Sequence, residues 1–328
     1  MTIRRSWRRS LIRPLAAAIA LMAFSGAAVA EAPASAAGSR PVPLLWKVSD
    51  ADNSVYLLGS FHMLRRSDYP LSQDVDAAFA DAERLVFEIS PEEMGSPALA
   101  MQMGQAALRT DGTALDSELP PETAQALEAW VAANAGTLAQ MQMNGQVLQM
   151  FEPWFVGLMV TIAELTKYGL DPSVGLDRHM AERAAQAGKP ATGLETGAEQ
   201  IAFLDGMGKV EQLQFLQEAL KSGEEGQAAI EKLHTAWRNG DKATLWQEMA
   251  VEMRQQFPDL YRRINVARND AWVPRVEAML QRPGTDDTLV VVGALHLIGE
   301  DGVVEKLRAR GHEVERICSA CAAGGSAK

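Results

Sequence analysis

The sequence predicts an α/β protein whose central mixed sheet is built from two strand-Gly-x-x-His halves, with a long helical insertion between them. The first observation is a phrase that occurs twice: the apolar runs 55–58 and 289–292 are each followed by Gly-x-x-His, ending at His62 and His296. β-Branched and aliphatic runs of this length are typical of buried strands. The second observation is the stretch of about 97–257, whose Ala, Gln, Leu, Met and Glu content favours helix.

The N-terminal half is predicted to have the order β-β-α-β. Residues 44–49 and 54–58 are the strands of a hairpin, because both are apolar and the polar turn 50–53 separates them. Ser72 caps an amphipathic helix, and residues 85–89 form a short apolar strand after it.

The C-terminal half contains two predicted helices and two predicted strands. A helix around 272–280 precedes the strand 289–292, and a helix over 303–310 precedes the last strand, 313–317. Gly311 ends the second of these helices, since glycine adopts the left-handed conformation found after many helices. The two halves are therefore expected to form one sheet.

The chain is expected to fold as a single domain over residues 44–317. Its helical insertion at about 97–257 is interrupted by one predicted strand at 190–194. The remaining segments are a signal peptide (1–30), a linker (31–43) and a C-terminal tail (318–328).

The first thirty residues predict export to the periplasm or secretion. Five arginines precede an apolar run, and the small residues 28–30 match a signal-peptidase site with cleavage after Ala30. The pair Arg8-Arg9 leaves open whether the route is Sec or Tat. Removing these residues changes the formal charge from −11 to −16, which makes nucleic acid an unfavourable partner. The longest later apolar run, 154–163, is too short to span a membrane.

Two cysteines form the chain's one Cys-x-x-Cys, at Cys318 and Cys321. In an oxidising compartment this spacing favours a local disulfide. A thioredoxin-like redox pair would need a strand followed by a helix start, and a structural zinc site would need further ligands.

The histidines at the two strand ends are the first candidate site residues. Open α/β sheets place their sites beyond the carboxyl ends of strands, so His62 and His296 are expected to share one site. The other three histidines are expected within or next to polar helical surfaces, and no function is assigned to them: His179, His234 and His312.

Two carboxylates and a cation complete the candidate set. Glu88 lies in an apolar strand, where a buried carboxylate needs a metal or a cation; the alternative is that the strand ends earlier and Glu88 faces solvent. Glu195 follows a predicted strand, with helix capping as the alternative. Arg268 and Asn269 offer a cation and an amide, with a surface cluster near a helix start as the alternative.

Several short motifs together indicate a family. They occur in the family's order between about residues 44 and 317: Leu45-Trp46-Lys47-Val48, Gly59-Ser60-Phe61-His62, Val86-Phe87-Glu88, Glu152-Pro153-Trp154, Gly175-Leu176-Asp177, Gly193-Leu194-Glu195-Thr196 with Glu199-Gln200, Arg268-Asn269, and Val292-Gly293-Ala294-Leu295-His296-Leu297 with Gly299 and Gly302. By these motifs the chain resembles the TraB/GumN family, which is related to the Tiki metalloproteases.

This resemblance implies a fold distantly similar to erythromycin esterase-like and ChaN-like domains. For the Tiki relatives it implies proteolysis that depends on a divalent metal ion. Matched by position, it implies that His62, Glu88 and His296 are metal ligands or catalytic groups. Glu195 and the Arg268-Asn269 pair would support them.

The first functional hypothesis is an exported metal-dependent hydrolase, with a peptidase as the preferred class. Mn²⁺, Co²⁺ or Zn²⁺ would activate water, a glutamate would act as base, and Arg268 with Asn269 would stabilise the oxyanion. One alternative is a metal-free, esterase-type hydrolase that uses His and Glu. Another is a non-catalytic protein whose helical insertion sequesters a peptide or a haem-like ligand. The sequence leaves the substrate, the metal and the oligomeric state open.

Overall fold

A six-stranded mixed sheet forms the centre of the computed structural model, which describes residues 39–323. The strands are β1 (Leu45–Ser49), β2 (Ser54–Ser60), β3 (Ala82–Phe87), β4 (Ala191–Gly193), β5 (Asp287–Gly293) and β6 (Val314–Arg316). Their order across the sheet is β4-β3-β5-β2-β1-β6. The predicted α/β class with a mixed sheet is therefore confirmed. The predicted signal peptide lies outside the described residues.

The antiparallel part of the sheet is the β1–β2 hairpin, with β6 added on the far side of β1. The turn forms because Oδ1 of Asp50 accepts hydrogen bonds from the backbone N–H groups of Asp52 and Asn53, at 3.2 and 3.1 Å. The Asn53 side chain then donates to the carbonyls of Leu280 and Arg282, both at 2.9 Å. These bonds fix the hairpin to the C-terminal part of the chain.

The parallel part of the sheet contains β4, β3, β5 and β2. Every residue of β2 is buried, as is every residue of β5 after Asp287. Parallel strands covered by helices on both faces have such continuous apolar runs rather than alternating ones. The carboxyl ends of the four strands consequently meet along one edge of the sheet, in the order β4, β3, β5, β2.

Helices account for most of the remaining described chain. They are α1 (Gln73–Asp81), α2 (Pro91–Met94), α3 (Pro97–Ala107), α4 (Pro121–Ala133), α5 (Ala135–Gln140), α6 (Gly145–Leu148), α7 (Pro153–Lys167), α8 (Leu176–Ala187), α9 (Gly197–Asp205), α10 (Lys209–Glu225), α11 (Gln227–Arg238), α12 (Lys242–Trp246), α13 (Glu252–Gln256), α14 (Pro258–Tyr261), α15 (Ala267–Leu280), α16 (Ala294–Leu297), α17 (Val303–Ala309) and α18 (Ser319–Ala323). Helix α7 is buried on nearly all sides and packs against α10, as its apolar sequence requires. Within residues 39–323, every helix is too short or too polar to cross a bilayer.

The helix that carries Arg268 starts earlier than the sequence predicts. The sequence predicts a helix around 272–280, but α15 begins at Ala267 and continues a π-helix over Arg262–Val266. Both Arg268 and Asn269 are buried. The alternative that they form a surface cluster is wrong, because their face of α15 packs against the strand ends.

Two further expectations concern His234 and the cysteine pair. The expectation that His234 lies within or next to a polar helical surface is wrong: it is 3% exposed, and its Nε2 lies 2.8 Å from Oδ2 of the buried Asp68. This contact joins α11 to the segment that follows β2. Cys318 and Cys321 are joined by a disulfide, as their spacing predicts.

Candidate functional site

Four of the predicted site residues follow four neighbouring parallel strands. Glu195 follows β4, Glu88 follows β3, His296 follows β5 and His62 follows β2. Since these strands are parallel, all four side chains lie at the same edge of the sheet. The structure thus brings together residues that are up to 234 positions apart in the chain.

Glu88 is at the centre of the site. The strand β3 ends at Phe87, one residue before Glu88, as the alternative supposes, but Glu88 is 3% exposed, so the expectation that it faces solvent is wrong. Its Oε1 accepts a hydrogen bond from the backbone N–H of Gly293 at 2.8 Å, and its Oε2 accepts one from Nη2 of Arg268 at 2.6 Å. Burial alone would raise the pKa of Glu88, but Arg268 and the two histidines hold it well below its usual range.

Both histidines approach the same oxygen of Glu88. Nε2 of His62 lies 3.8 Å from Oε1 of Glu88, and Nε2 of His296 lies 4.0 Å from it. Gly293 makes this approach possible, because a Cβ there would lie 3.2 Å from both Glu88 Oε1 and His62 Nε2. The two histidines therefore belong to one site.

His62 is held by a carboxylate behind its ring. Its Nδ1 lies 2.6 Å from Oδ2 of Asp177, and the same oxygen accepts a hydrogen bond from Oγ of Ser60 at 2.5 Å. Burial lowers the pKa of His62, but the charge and hydrogen bond of Asp177 outweigh it and raise the pKa to about 9. Nε2 of His62 is buried and has no hydrogen-bond partner among the described residues.

His296 is held by an amide instead. Its Nδ1 lies 2.7 Å from Oδ1 of Asn269, whose Nδ2 donates to the carbonyl of Asp301. The ring therefore carries its proton on Nδ1, and Nε2 accepts a hydrogen bond from Nη1 of Arg268 at 3.1 Å. Burial and the positive charge of Arg268 lower the pKa of His296 to about 3, so the ring is neutral.

Arg268 is a buried cation shared by two carboxylates. Besides its bond to Glu88, its Nε donates to Oε1 of Glu195 at 3.0 Å, and its Nη2 donates to the same oxygen. The guanidinium also lies 4.7 Å from the ring of Trp272. Burial opposes the charged form, but the two carboxylates raise the pKa of Arg268. The site therefore has a fixed positive charge at its centre.

Glu195 is more weakly stabilised as an anion than Glu88. Burial raises its pKa, although Arg268, Gln200 at 2.7 Å and the Trp272 indole at 3.2 Å all donate to it. The alternative that Glu195 caps a helix is wrong. Thr196 caps α9, in a reciprocal pair with the side chain of Glu199.

The arrangement differs from a preformed metal centre. Among residues 39–323, no three His, Cys, Asp or Glu side chains are positioned together to hold an ion. Arg268 accounts for this, because its guanidinium covers Nε2 of His296 and one oxygen of Glu88. The donor atoms left facing one another are Nε2 of His62 and Oε1 of Glu88.

Sequence reasoning missed four side chains of the site. Asp177 and Gln200 lie within motifs that supported the family resemblance, Gly175-Leu176-Asp177 and Glu199-Gln200, so the motifs themselves were the available signal. Ser60 lies inside the first Gly-x-x-His motif, and its position beside Asp177 depends on the packing of α8. Trp272 offered no signal, because a tryptophan in a helix is more often a packing residue.

Comparison with known proteins agrees with these motifs. The TraB/PrgY/gumN family model matches residues 44–316. Similar proteins include those named "Uncharacterized protein YbaP" in Escherichia coli (strain K12) and Shigella flexneri. Each is 24% identical over 254 residues, which is 77% of this chain and 87% of the relative. No solved structure matches the chain. Because the family model spans most of its length, the chain belongs to the TraB/PrgY/gumN family.

Proposed function

We propose that this protein is an exported hydrolase of peptides, acting in the periplasm or outside the cell, and that it uses a divalent ion held by His62, Glu88 and His296. One observation carries the proposal. Asp177 and Asn269 engage the Nδ1 atoms of the two histidines, so both Nε2 atoms are turned toward the same oxygen of Glu88. Acceptors that fix the far side of an imidazole in this way are a regular feature of metal-binding histidines.

The donor set fits Mn²⁺, Co²⁺ or Zn²⁺, each of which accepts imidazole nitrogen and carboxylate oxygen. The unpartnered Nε2 of His62 adds further support, since a buried polar atom without a partner is costly. Two changes in the chain must accompany binding: His62 must lose a proton, and Arg268 must release Nε2 of His296. When bound, such an ion polarises a carbonyl and lowers the pKa of water.

Arg268, Glu195 and Asn269 are suited to supporting roles in peptide hydrolysis. Arg268 is charged, buried and fixed by Glu195, so it is placed to stabilise the oxyanion of an attacked peptide carbonyl. Glu195, whose pKa is raised by burial, is suited to take a proton from water and return it to the leaving amine. Asn269 uses its oxygen on His296 and its amide on Asp301, and we assign it a positioning role.

Metal dependence tests this proposal directly. Chelator treatment of the mature protein is expected to abolish cleavage in a peptide library, and Mn²⁺, Co²⁺ or Zn²⁺ is expected to restore it. His62→Ala and His296→Ala should not be restored by any ion, whereas His312→Ala is a matched control because His312 lies away from the site and contacts Glu277. Direct titration should show tighter binding of the ion at pH 9 than at pH 7, since the ion competes with the proton on His62.

A metal-free hydrolase is the second candidate, and one observation favours it. Arg268 already occupies Nε2 of His296, while His62 carries a proton that it could give to a leaving group. Cleavage that survives the chelator but is lost in His62→Ala would select this mechanism over the first. Absence of cleavage with every ion would overturn both hydrolase proposals and leave a binding function.

A further inference from the structure

A cavity of about 640 Å³ lies between the edge of the sheet and α12. Trp46 of β1 and Arg316 of β6 are directly opposed in the strand register, and both line the cavity. Trp246, at the end of α12, lines another part of its wall. A volume of this size accommodates a small organic molecule.

Arg316 is one of three cations among the described residues on the wall of this cavity, together with Lys242 and Arg308. Its guanidinium lies 4.9 Å from the ring of Trp46, and its buried Nη1 has no hydrogen-bond partner among residues 39–323. Burial lowers the pKa of Arg316 to about 10, with only partial compensation from Asp74. A half-buried cation of this kind is stabilised by an anion.

The acidic side chains on the cavity wall do not supply that anion, because each has a cation of its own. Glu300 is paired with Arg254 outside the cavity. Glu305 is paired with Arg308 at 2.7 Å. The positive charge of Arg316 is therefore available to a bound molecule.

Trp246 provides an apolar wall. Its ring lies against the backbone of Gly299, where a Cβ would come within 2.0 Å of the ring and where φ is +76°. Only glycine satisfies both conditions. A π-helix over Gln247–Val251 follows the tryptophan directly, and single π-turns are frequent at functional sites. The chain thus accepts two unusual local conformations beside this ring.

We propose that this cavity binds a small organic carboxylate, whose charged group interacts with Arg316 and whose apolar body lies between Trp46 and Trp246. Arginine suits this task because its planar group can stack on an aromatic ring and bind a carboxylate at the same time. The site is separate from the histidine site and does not depend on hydrolysis.

A matched pair of probes tests the proposal by calorimetric titration of the mature protein. Phenylbutyrate and its neutral amide, phenylbutanamide, share one apolar body and differ in charge. The carboxylate is expected to bind at least about tenfold more tightly, the difference expected for a charge-assisted hydrogen bond. Equal affinity of the two probes, or no saturable binding of phenylbutyrate at millimolar concentration, would overturn the proposal.

Substitutions test whether Arg316 causes the preference for the carboxylate over the amide. Arg316→Gln is expected to remove most of the preference for phenylbutyrate over the amide. Arg310→Gln is the matched control, because Arg310 is an exposed cation that pairs with Glu277 and does not line the cavity. If Arg316→Gln does not fold, Arg316→Lys replaces it and should keep part of the preference for the carboxylate. An unchanged preference in a folded Arg316→Gln protein would contradict the assignment.

Discussion

His62 and His296 end the same sequence phrase and approach the same carboxylate oxygen, yet their protonation differs. The pKa of His62 is raised to about 9, and the pKa of His296 is lowered to about 3. Nδ1 of His62 contacts the carboxylate of Asp177, while Nδ1 of His296 contacts the amide of Asn269. At pH 7 the first ring is a cation and the second is neutral.

The repeated motif determines the position of each histidine ring but not its charge. The strand and the glycine set where each ring lies, because both act locally. The charge of each ring is set by its surroundings in the fold: Asp177 keeps His62 protonated against the effect of burial, whereas burial and then Arg268 keep His296 neutral. A cationic imidazole can donate a proton and a neutral one can offer a lone pair, so the two rings are suited to different tasks.

Removal of Arg268 is expected to have the largest effect. Arg268→Met leaves Glu88 and Glu195 buried without their cation, which should lower the free energy of unfolding by about 3–5 kcal/mol. Urea unfolding at pH 7 measures this loss. Histidine NMR should also show the pKa of His296 rising, because the positive charge beside it is gone.

The control for that variant is Arg310→Met, which removes a more exposed cation that is paired with Glu277. Pairs of this type contribute at most about 1 kcal/mol, so its unfolding should be nearly that of the parent. Similar losses in the two variants would mean that the buried charges of the site are not coupled as the contacts indicate.

Replacement of Asp177, the carboxylate that contacts Nδ1 of His62, is expected to remove most of the difference in pKa between the two histidines. In Asp177→Asn both histidines face an amide, and burial should lower the pKa of His62 from about 9 to below its ordinary 6.5. NMR titration of the chelator-treated protein measures this directly. A His62 signal that still titrates near 9 would show that Asp177 is not the cause.

The same exchange has a consequence for stability with a definite sign. A raised histidine pKa stabilises the folded state below pH 6.5, and this contribution is lost as the pH rises through about 9. The parent should therefore lose up to about 1.4 kcal/mol per pH unit across that window. Asp177→Asn should show a flat profile over the same window.

The reciprocal exchange places a carboxylate behind His296. Asn269→Asp is expected to raise the pKa of His296 above about 3, although less than Asp177 raises that of His62, because Arg268 remains beside the ring. The new side chain also loses the amide that donates to the carbonyl of Asp301, at a cost of about 1–3 kcal/mol. NMR titration and urea unfolding measure the two effects, and an unchanged pKa would contradict the role given to the amide.

Much of the sheet could be predicted from the sequence, because buried parallel strands are continuous apolar runs. The strands β2, β3 and β5, the hairpin turn at Asp50 and the short β4 all follow local patterns. A shared site for His62 and His296 predicts that β5 lies beside β2, but the pairing of β5 with β3 on its other side could not be predicted from local patterns. Strand order depends on pairing between distant segments, which no local pattern records.

The site was also predictable only in part, because some of its contacts join segments that are distant in the sequence. Glu88, Glu195 and the two histidines follow strands, so local signals identified them. The start of α15 was missed because a π-helix runs into it, and the sequence left open whether Arg268 lies in the site or in a surface cluster. Asp177 lies at the start of α8, and nothing near it in the sequence indicates that it contacts His62.

The smallest expected effect tests the close approach of the two rings at Gly293. In Gly293→Ala the new methyl group would lie 3.2 Å from both Glu88 Oε1 and His62 Nε2, so these atoms must move apart. Crowding of this size should cost about 1 kcal/mol in urea unfolding. Gly104→Ala is the matched control, since Gly104 lies in α3 with nothing within 4 Å of a new Cβ. That substitution should stabilise the protein by about 0.4–1 kcal/mol, because alanine restricts the unfolded chain. If both substitutions changed the free energy of unfolding in the same direction, the approach of the two rings to Glu88 would not require a glycine at position 293.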